Sequence, residues 1–202
     1  MIRALPALLV LLGTACGLAE DERDEKNKYI YLTFYDKAFE TYCLGAFDVD
    51  GDGRISRYEA QRVLRMDCSE RGIASLSDLK EFTRLERLDC QGNTLSQLDV
   101  TMTRLERLDC SDNDLVSLDV NGLRGLTDLN CSGNRLPRLD LQSNASLASL
   151  DCSDNALAGT LDLTACASAL RADVRSNPDL ATVRCLAAQG VSFDGRTEIV
   201  RD

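Results

Sequence analysis

Two residue types that build many active sites are missing from this chain: its 202 residues include no histidine and no tryptophan. Without histidine, the commonest general base and a common metal ligand are absent, which excludes Ser-His-Asp and Cys-His catalysis and histidine-bound zinc. Aromatic residues make up only 5% of the chain, so the side chains that stack on sugars or anchor interfaces are also scarce. We therefore predict that the protein is not an enzyme.

Positive charge is in short supply as well. The chain has 23 Lys and Arg residues against 33 Asp and Glu residues, for a formal net charge of −10. Nucleic acids and anionic membrane surfaces attract basic proteins and repel acidic ones. We therefore expect no nucleic-acid partner, and we expect contact with a membrane only through a lipid anchor.

Long hydrophobic runs are absent except near the N-terminus, where residues 4–12 read ALPALLVLL. This run is too short to cross a bilayer but has the length of a signal-peptide core. We therefore predict a signal peptide at residues 1–19 and an exported protein. Its location would be the outer membrane or cell surface, as a lipoprotein, or else the periplasm or the medium.

The four residues GTAC at 13–16 are similar to the box that precedes a lipidated cysteine in bacterial lipoproteins, although Leu12 stands one place early. Cys16 is therefore the candidate lipidation site. Cleavage near Ala15 or Ala19 without lipidation is the alternative. Residues 20–28 are charged and lack apolar side chains, so we expect a disordered tether there.

The twelve residues 48–59, DVDGDGRISRYE, have the residue types of a calcium-binding loop. Oxygen-bearing side chains fall at positions 1, 3, 5, 9 and 12 of the loop, and Gly53 at position 6 permits a sharp turn. Ca²⁺ prefers about six to eight oxygen ligands, and a loop of this pattern wraps them around one point. The expected ligands are Asp48, Asp50, Asp52, Arg54 through its backbone carbonyl, Ser56 and Glu59.

Helical patterns flank this loop. We expect a helix at about residues 33–47 before it and another at about 57–64 after it, so that residues 29–66 form an EF-hand module. Ile55, at position 8, is the apolar residue that faces a second loop in paired modules of this kind. No second loop is visible in the sequence.

A nine-residue pattern recurs along the rest of the chain: Leu, two variable residues, Leu, one variable residue, Cys, two variable residues and Asn. The copies are residues 85–93, 105–113, 126–134, 147–155 and, in degenerate form with Ala169 and Ala172 at the leucine positions, 169–177. Their asparagines are 20 to 22 residues apart. Such spacing is typical of a leucine-rich-repeat solenoid.

Each copy is followed by a second half-repeat, such as Leu95-x-x-Leu98-x-Val100. The apolar-polar-apolar end of each half-repeat predicts short extended segments, with stacked parallel strands on the concave side. We predict a solenoid over residues 63–190, capped by the calcium module at one end and by residues 186–202 at the other. The fold class is then α+β, with few helices.

Cysteines recur at one inward-facing position of the repeat. This placement predicts a column of buried free thiols rather than disulfides or a metal cluster. The members are Cys68, Cys90, Cys110, Cys131 and Cys152. Cys166 and Cys185 lie outside the column on adjacent coils, and a disulfide between them is an alternative that the sequence leaves open.

Polar residues also recur in register. The repeat asparagines Asn93, Asn113, Asn134, Asn155 and Asn177 stand where the chain turns, so we expect them to bond to the backbone. On the strand side, Asp67, Asp89, Asp109, Asn130, Asp151 and Asp173 should form one column beside Arg65, Arg87, Arg107, Asp128, Ser149 and Arg171. Asp99, Asp119, Asp140 and Asp162 should form another on the opposite side. These columns are either a recognition surface or a solvated face, and for any single residue the second interpretation is favoured.

Together, the segment FDVDGDGRISRYEA, the junction MDCSERGIASLSDLKEFTRLERLDC and the LxxLDCSxNxLxxLDV repeats resemble a type of bacterial exported lipoprotein. The resemblance covers about residues 35–185. It implies a calcium-binding leucine-rich-repeat protein of the surface that binds a protein or glycan partner, with calcium stabilising the N-terminal cap. It implies nothing about the identity of that partner.

Two other functions remain as alternatives. The loop could serve a calcium sensor or buffer, with dimerisation through Ile55 supplying the missing second loop. A carboxylate-based, glycan-active enzyme is the less favoured alternative, because paired Asp residues recur throughout the repeats and therefore indicate no particular site.

Overall fold

The computed structural model describes residues 25–101 and 103–202. The predicted signal peptide and Cys16 lie outside these residues, as does most of the predicted tether. Residues 25–27 of the tether form a helical turn where disorder was expected. Asn27 Nδ2 donates to Gln61 Oε1 at 3.0 Å, which holds this turn against the module that follows. No helix of the described residues is long and apolar enough to cross a membrane.

Two helices flank the predicted calcium loop: α1 (Lys37–Phe47) and α2 (Arg57–Ala60). Both are shorter than the sequence predicted. Helix α1 begins only after Asp36, whose carboxylate accepts the first free N–H groups and so fixes the start. Helix α2 ends early because the chain enters the first coil at once; the Leu64 carbonyl already accepts the N–H of Glu86 from the next coil.

The repeats form a parallel sheet to which each coil contributes one strand. The seven strands lie in the order β1-β2-β3-β4-β5-β7-β9, and each central side chain is buried in the first six of them. They are β1 (Arg65–Asp67), β2 (Arg87–Asp89), β3 (Arg107–Asp109), β4 (Asp128–Asn130), β5 (Ser149–Asp151), β7 (Arg171–Asp173) and β9 (Gly190–Ser192). The predicted parallel strands are therefore confirmed.

The secondary structure on the opposite side of the solenoid differs between the first and the last coils. Its last three coils form a second parallel sheet of order β10-β8-β6, made of β6 (Ala158–Asp162), β8 (Asp179–Cys185) and β10 (Glu198–Arg201). The earlier coils have no strand on this side within the described residues. A 3-10 helix, Ser77–Glu81, occupies it in the first coil.

The C-terminal boundary and one core position differ from the predictions. Residues 186–202 add one more coil, since β9 and β10 extend both sheets, and the solenoid does not end at 190. The Arg201 guanidinium closes this coil by donating to the carbonyls of Leu186, Ala187 and Gln189. In the degenerate repeat, Leu170 is fully buried whereas Ala169 is exposed, because the insertion in this coil shifts the inward position by one residue.

The predicted column of cysteines is confirmed. Its five members are fully buried, and all eight cysteines of the described residues are free thiols, including Cys166 and Cys185. The alternative disulfide between these two is therefore not formed. Three of the column thiols also lie within 3.4–3.5 Å of a carbonyl of the following coil, such as Cys90 Sγ to Asp109 O.

Each repeat asparagine bonds to the backbone of neighbouring coils, as predicted. Asn134 is representative: Nδ2 donates to the carbonyls of Cys110, Cys131 and Ser132 at 3.0–3.1 Å. Its Oδ1 accepts the N–H of Leu115 at 2.9 Å. One buried amide therefore satisfies four backbone groups across two coils.

A second buried asparagine was not recognised from the sequence. Asn144 lies on the return segment, where Nδ2 donates at 3.0 Å to the carbonyls of Val120 and Leu123 in the preceding coil. Gln189 makes the equivalent pair of bonds two coils later, to Leu163 and Ala167. These residues occur once each at their position in the repeat, so no recurring pattern marks them.

The asparagine column provides a direct test of what holds the coils together. We expect Asn134→Ala to lower the free energy of unfolding by at least about 2 kcal/mol, because several buried backbone groups lose their partner. Asn121→Ala is the matched control. The Asn121 side chain is half-buried and forms no hydrogen bond with the part of the chain that the structure describes, so we expect a change within about 0.5 kcal/mol. Urea unfolding followed by circular dichroism measures both; equal effects would contradict this role.

The buried thiols should be inert in the folded protein. Burial raises the pKa of Cys68 and of Cys131 to about 12, and it raises the pKa of Cys90, Cys110 and Cys152 well above the usual value. Since the thiolate is the reactive form, Cys16→Ser protein should show no rapid reaction with a disulfide reagent at pH 8. All eight remaining thiols should react in denaturant. Rapid labelling of the native protein would refute the buried column.

Candidate metal centre and binding faces

The first three predicted calcium ligands converge in the loop. One carboxylate oxygen from each of Asp48, Asp50 and Asp52 lies within 4.8 Å of the others. The fold of the loop brings them together, because Asp48 accepts the N–H of Gly51 at 2.8 Å and of Gly53 at 3.0 Å. Both glycines have φ above +70°, a conformation that other residues rarely adopt.

Arg54 is positioned as a local counter-charge. Its guanidinium lies 3.5 Å from Asp52 Oδ2 and 3.8 Å from the centre of the Tyr31 ring. The side chain therefore leaves the interior of the loop, as expected for a residue predicted to contribute only its carbonyl. Asp52 Oδ1 accepts the N–H of Arg54 at 2.9 Å, which adds to the curvature of the loop.

Glu59 and Ser56 tie the two ends of the loop together. Glu59 Oε1 accepts the N–H of Val49, and Oε2 accepts both the N–H and the hydroxyl of Ser56, each at 2.8 Å. Glu59 is buried by these contacts. Its carboxylate does not belong to the group of three that lie within 4.8 Å of one another. The structure therefore brings three of the predicted side-chain ligands together and holds the other two beside them.

The donor set fits a hard divalent cation. Every side-chain donor of the loop is an oxygen, the type that Ca²⁺ prefers. Three carboxylates this close repel one another, and within the described residues only Arg54 forms an ion pair with any of them. A cation at their centre would remove this repulsion. Asp48, Asp50 and Asp52 would bind it directly, and Glu59 is the residue that would close the loop.

The pairing edge of the loop is occupied by the chain itself. Tyr31 forms an antiparallel bridge with Ser56, in which the Leu32 N–H donates to the Ile55 carbonyl at 2.8 Å. The Arg57 N–H donates to the Ile30 carbonyl at 2.7 Å. Ile55 is only 1% exposed. Residues 30–32 thus occupy the edge that a second loop would use. Because Ile55 is buried within the chain, it is not accessible for dimerisation.

The module packs directly onto the first coil. Asp36 joins the two parts: Oδ1 accepts two N–H groups at the start of α1, and Oδ2 accepts the N–H groups of Ala74 and Ser75 at 2.8 and 3.1 Å. The ring of Phe39 lies 6.0 Å from that of Phe82 in the first coil. Arg57, at the start of α2, forms an ion pair with Glu81 at 3.0 Å. The two helices therefore pack against the first coil of the solenoid.

The strand face, defined as the outward residues of β1 to β5 and β7, carries the predicted columns in register. Arg65, Arg87 and Arg107 are aligned at the start of the strands, and the acidic column is aligned at their ends. Most of these carboxylates accept the N–H two residues ahead, as Asp109 does from Ser111 at 3.0 Å. Burial and the adjacent Asp67 and Asp109 raise the pKa of Asp89, although the Gln91 N–H opposes them. The acidic column therefore shapes turns as well as facing solvent.

Comparison with known proteins identifies the repeat architecture. No family model matches the chain, and no curated protein does. Among solved structures, the functional domain of InlJ from Listeria monocytogenes, described as including a cysteine ladder, is 27% identical, with a TM-score of 0.66. The match covers 79% of this chain and 38% of that one, so this chain spans well under half of its length.

Two internalins of Listeria monocytogenes are also similar. Internalin C2 is 16% identical with a TM-score of 0.49, over 81% of this chain and 88% of its own. The internalin InlF is 13% identical with a TM-score of 0.44, over 79% of this chain and 58% of its own. The InlJ match and the stacked parallel strands establish the class of fold: this chain is a leucine-rich-repeat solenoid with a column of buried cysteines.

The stability of the contact between the N-terminal module and the solenoid should depend on pH, because Asp36 contributes to it as a carboxylate. Burial opposes ionisation of this carboxyl, but four backbone N–H donors outweigh it and hold its pKa below the usual 3.8. Its stabilisation is therefore present above pH 3.8 and is lost as the pH falls through the lower pKa of the folded protein. Asp36→Asn should cost about 1–2 kcal/mol at pH 7, and the cost should shrink in acid. Urea unfolding at pH 7, 5 and 3, with Asp154→Asn as control, measures this; a cost independent of pH would contradict it.

Proposed function

We propose that this protein is an exported, calcium-binding leucine-rich-repeat protein that binds a partner protein through its solenoid. In this proposal, calcium stabilises the N-terminal module that covers the first coil. The observation that carries the calcium role is the convergence of Asp48, Asp50 and Asp52 within 4.8 Å, in a loop closed by Glu59. The partner role rests on the repeat architecture shared with the InlJ domain.

Calcium would act on the solenoid through the module. Ion binding holds α1 and α2 in a fixed relation, since the loop connects the two helices. Helix α1 is in turn joined to the first coil by Asp36 and Phe39. A loop of this type outside the cell binds Ca²⁺ with a dissociation constant of about 10⁻⁴–10⁻³ M. Extracellular calcium would then keep it occupied, which suits a structural ion.

Pairing within the chain favours this structural role over a calcium sensor. Sensing in proteins of this type relies on paired loops that change together, whereas residues 30–32 already occupy the pairing edge here. The module is also fixed to the first coil by polar and aromatic contacts on both helices. A rigid attachment leaves little room for a calcium-driven opening.

The strand face is the proposed surface for the partner. Arg65 and Arg87 lie side by side on it and form no ion pair with any residue that the structure describes, whereas Arg107 pairs with Asp128 at 3.4 Å. Exposed arginines beside a row of carboxylates can bond with the polar groups of a protein surface.

Export and a lipid anchor at Cys16 are also part of the proposal. The sequence of residues 1–19 supports them. The proposal includes no catalytic step.

Calcium should raise the melting temperature of the protein, and the loop carboxylates should be required. At a calcium concentration about 100 times the dissociation constant, the expected stabilisation is about 2.7 kcal/mol. Asp50→Asn should abolish most of this shift, because it removes one charged ligand. An amide at this position can still accept the Asp52 N–H, so the loop should keep its shape without calcium. Thermal unfolding in calcium and in chelator measures the effect.

Asp154→Asn is the matched control for this experiment. It removes the same charge from an exposed turn in the solenoid, where the carboxylate accepts no hydrogen bond from residues 25–101 or 103–202. This variant should respond to calcium like the wild type. If calcium leaves the wild type unchanged, or if both variants lose the response equally, the calcium role fails. Because the chain has no tryptophan, terbium emission excited through tyrosine gives an independent measure of binding.

A further inference from the structure

A groove of about 1040 Å³ lies on the side of the solenoid away from the seven-stranded sheet. Residues from three consecutive coils line it, and all of them lie between Leu98 and Asp140. These coils precede the second sheet, so the groove ends where β6 begins to pair with β8. The calcium loop and the strand face do not contribute to it.

The floor of the groove is apolar. Leu98, Leu118 and Leu139 occupy equivalent positions in the three coils and are 8%, 9% and 9% exposed. The leucines three residues before them are fully buried, so the floor leucines are the ones that reach the surface. Val116, which is 53% exposed, adds a further apolar side chain at the wall. Removing this apolar surface from water is favourable, so the floor favours an apolar ligand group.

Three carboxylates line the groove beside this floor. Asp99, Asp119 and Asp140 each use Oδ1 to accept the N–H two residues ahead, at 2.9–3.0 Å. Their Oδ2 atoms have no partner in the described residues, and none of the three forms an ion pair. The next member of the column differs, since Asp162 lies 3.4 Å from the guanidinium of Arg184. The lining also includes the exposed Arg138, so the groove carries three carboxylates and one guanidinium and its net charge is negative.

The backbone of the groove is also unpaired. In the described residues, the N–H groups of Leu98, Leu118 and Leu139 donate to no acceptor of the protein. The equivalent Leu161 lies in β6 and pairs with Val183 of β8. The three coils are thus not joined by a ladder on this side, and their free N–H groups can bond with water or with the main chain of a ligand.

We propose that this groove binds an extended, basic segment of a partner protein in which lysine or arginine alternates with apolar residues. The apolar side chains would lie on the leucine floor, and the cationic side chains would pair with Asp99, Asp119 and Asp140. Coils stacked about 4.8 Å apart place the outer carboxylates about 10 Å apart, the length of about three residues of extended chain. The long stems of lysine and arginine accommodate the remaining difference in spacing.

Small cations fit this groove less well than a peptide. Among the described residues, the carboxylates that gather closely enough to share a metal ion are those of the calcium loop, not these three. A polyamine could neutralise the three charges but would leave the leucine floor exposed. A segment with both charged and apolar side chains covers both features, and this surface is separate from the proposed calcium site and strand face.

A labelled peptide of sequence Lys-Val-Lys-Val-Lys-Val-Lys provides the probe, with binding to the full chain followed by fluorescence anisotropy. The triple variant Asp99→Asn, Asp119→Asn, Asp140→Asn should weaken binding at least tenfold. Asparagine keeps the turn bond, as Asn130 shows by accepting the N–H of Ser132 at this position of the strand side. The matched control is Asp112→Asn, Asp154→Asn, Asp179→Asn, which removes equal charge from exposed positions outside both the groove and the strand face and should change affinity less than twofold.

Two further comparisons separate the groove from general attraction between charges. A peptide with serine in place of valine should bind at least fivefold more weakly, because it leaves the floor uncovered. Val116→Arg, at an exposed position, should abolish binding even if the triple variant folds poorly. Absence of binding, equal losses in the two triple variants, equal affinity for the serine peptide, or unchanged binding by Val116→Arg would each overturn the proposal.

Discussion

Five successive coils of this solenoid, those of β2 to β5 and β7, each depend on one buried asparagine that follows the strand. The chain must turn there, and turning leaves backbone groups in the interior without a strand partner. The amides of Asn113 and Asn134 show the solution, since each donates to carbonyls of its own coil and of the coil before it and accepts an N–H from that earlier coil. Stacked thiols and leucines fill the remaining space, and Asn144 Oδ1 is the one buried side-chain oxygen or nitrogen of the described residues without a hydrogen-bond partner.

The same requirement explains the N-terminal module, because the first coil has no preceding coil to bond with. Asp36 supplies acceptors to the free N–H groups of Ala74 and Ser75, and Phe39 covers apolar surface that another coil would otherwise bury. At the other end, the Arg201 side chain donates to carbonyls that a further coil would bond. The two ends are therefore closed by different chemistry for one physical reason.

The sequence predicted the features that repeat and missed those that occur once. The strands, the cysteine column and the asparagine column follow from a spacing of 20 to 22 residues, and the first three loop carboxylates follow from their alternation. Asn144 and the shift from Ala169 to Leu170 are single events inside one coil, so periodicity gave no sign of them. The pairing of Tyr31 with Ser56 depends on a tertiary contact between distant residues. Local pattern does not encode such a contact.

We propose that calcium stabilises the loop and the first coil as one unit. Amide hydrogen exchange of the full chain, with calcium and with chelator, tests it most directly. We predict that calcium slows exchange in the loop and also at residues 73–82, where the module packs on the first coil, with little change after residue 105. Protection confined to residues 48–59, or no protection at millimolar calcium, would contradict the account.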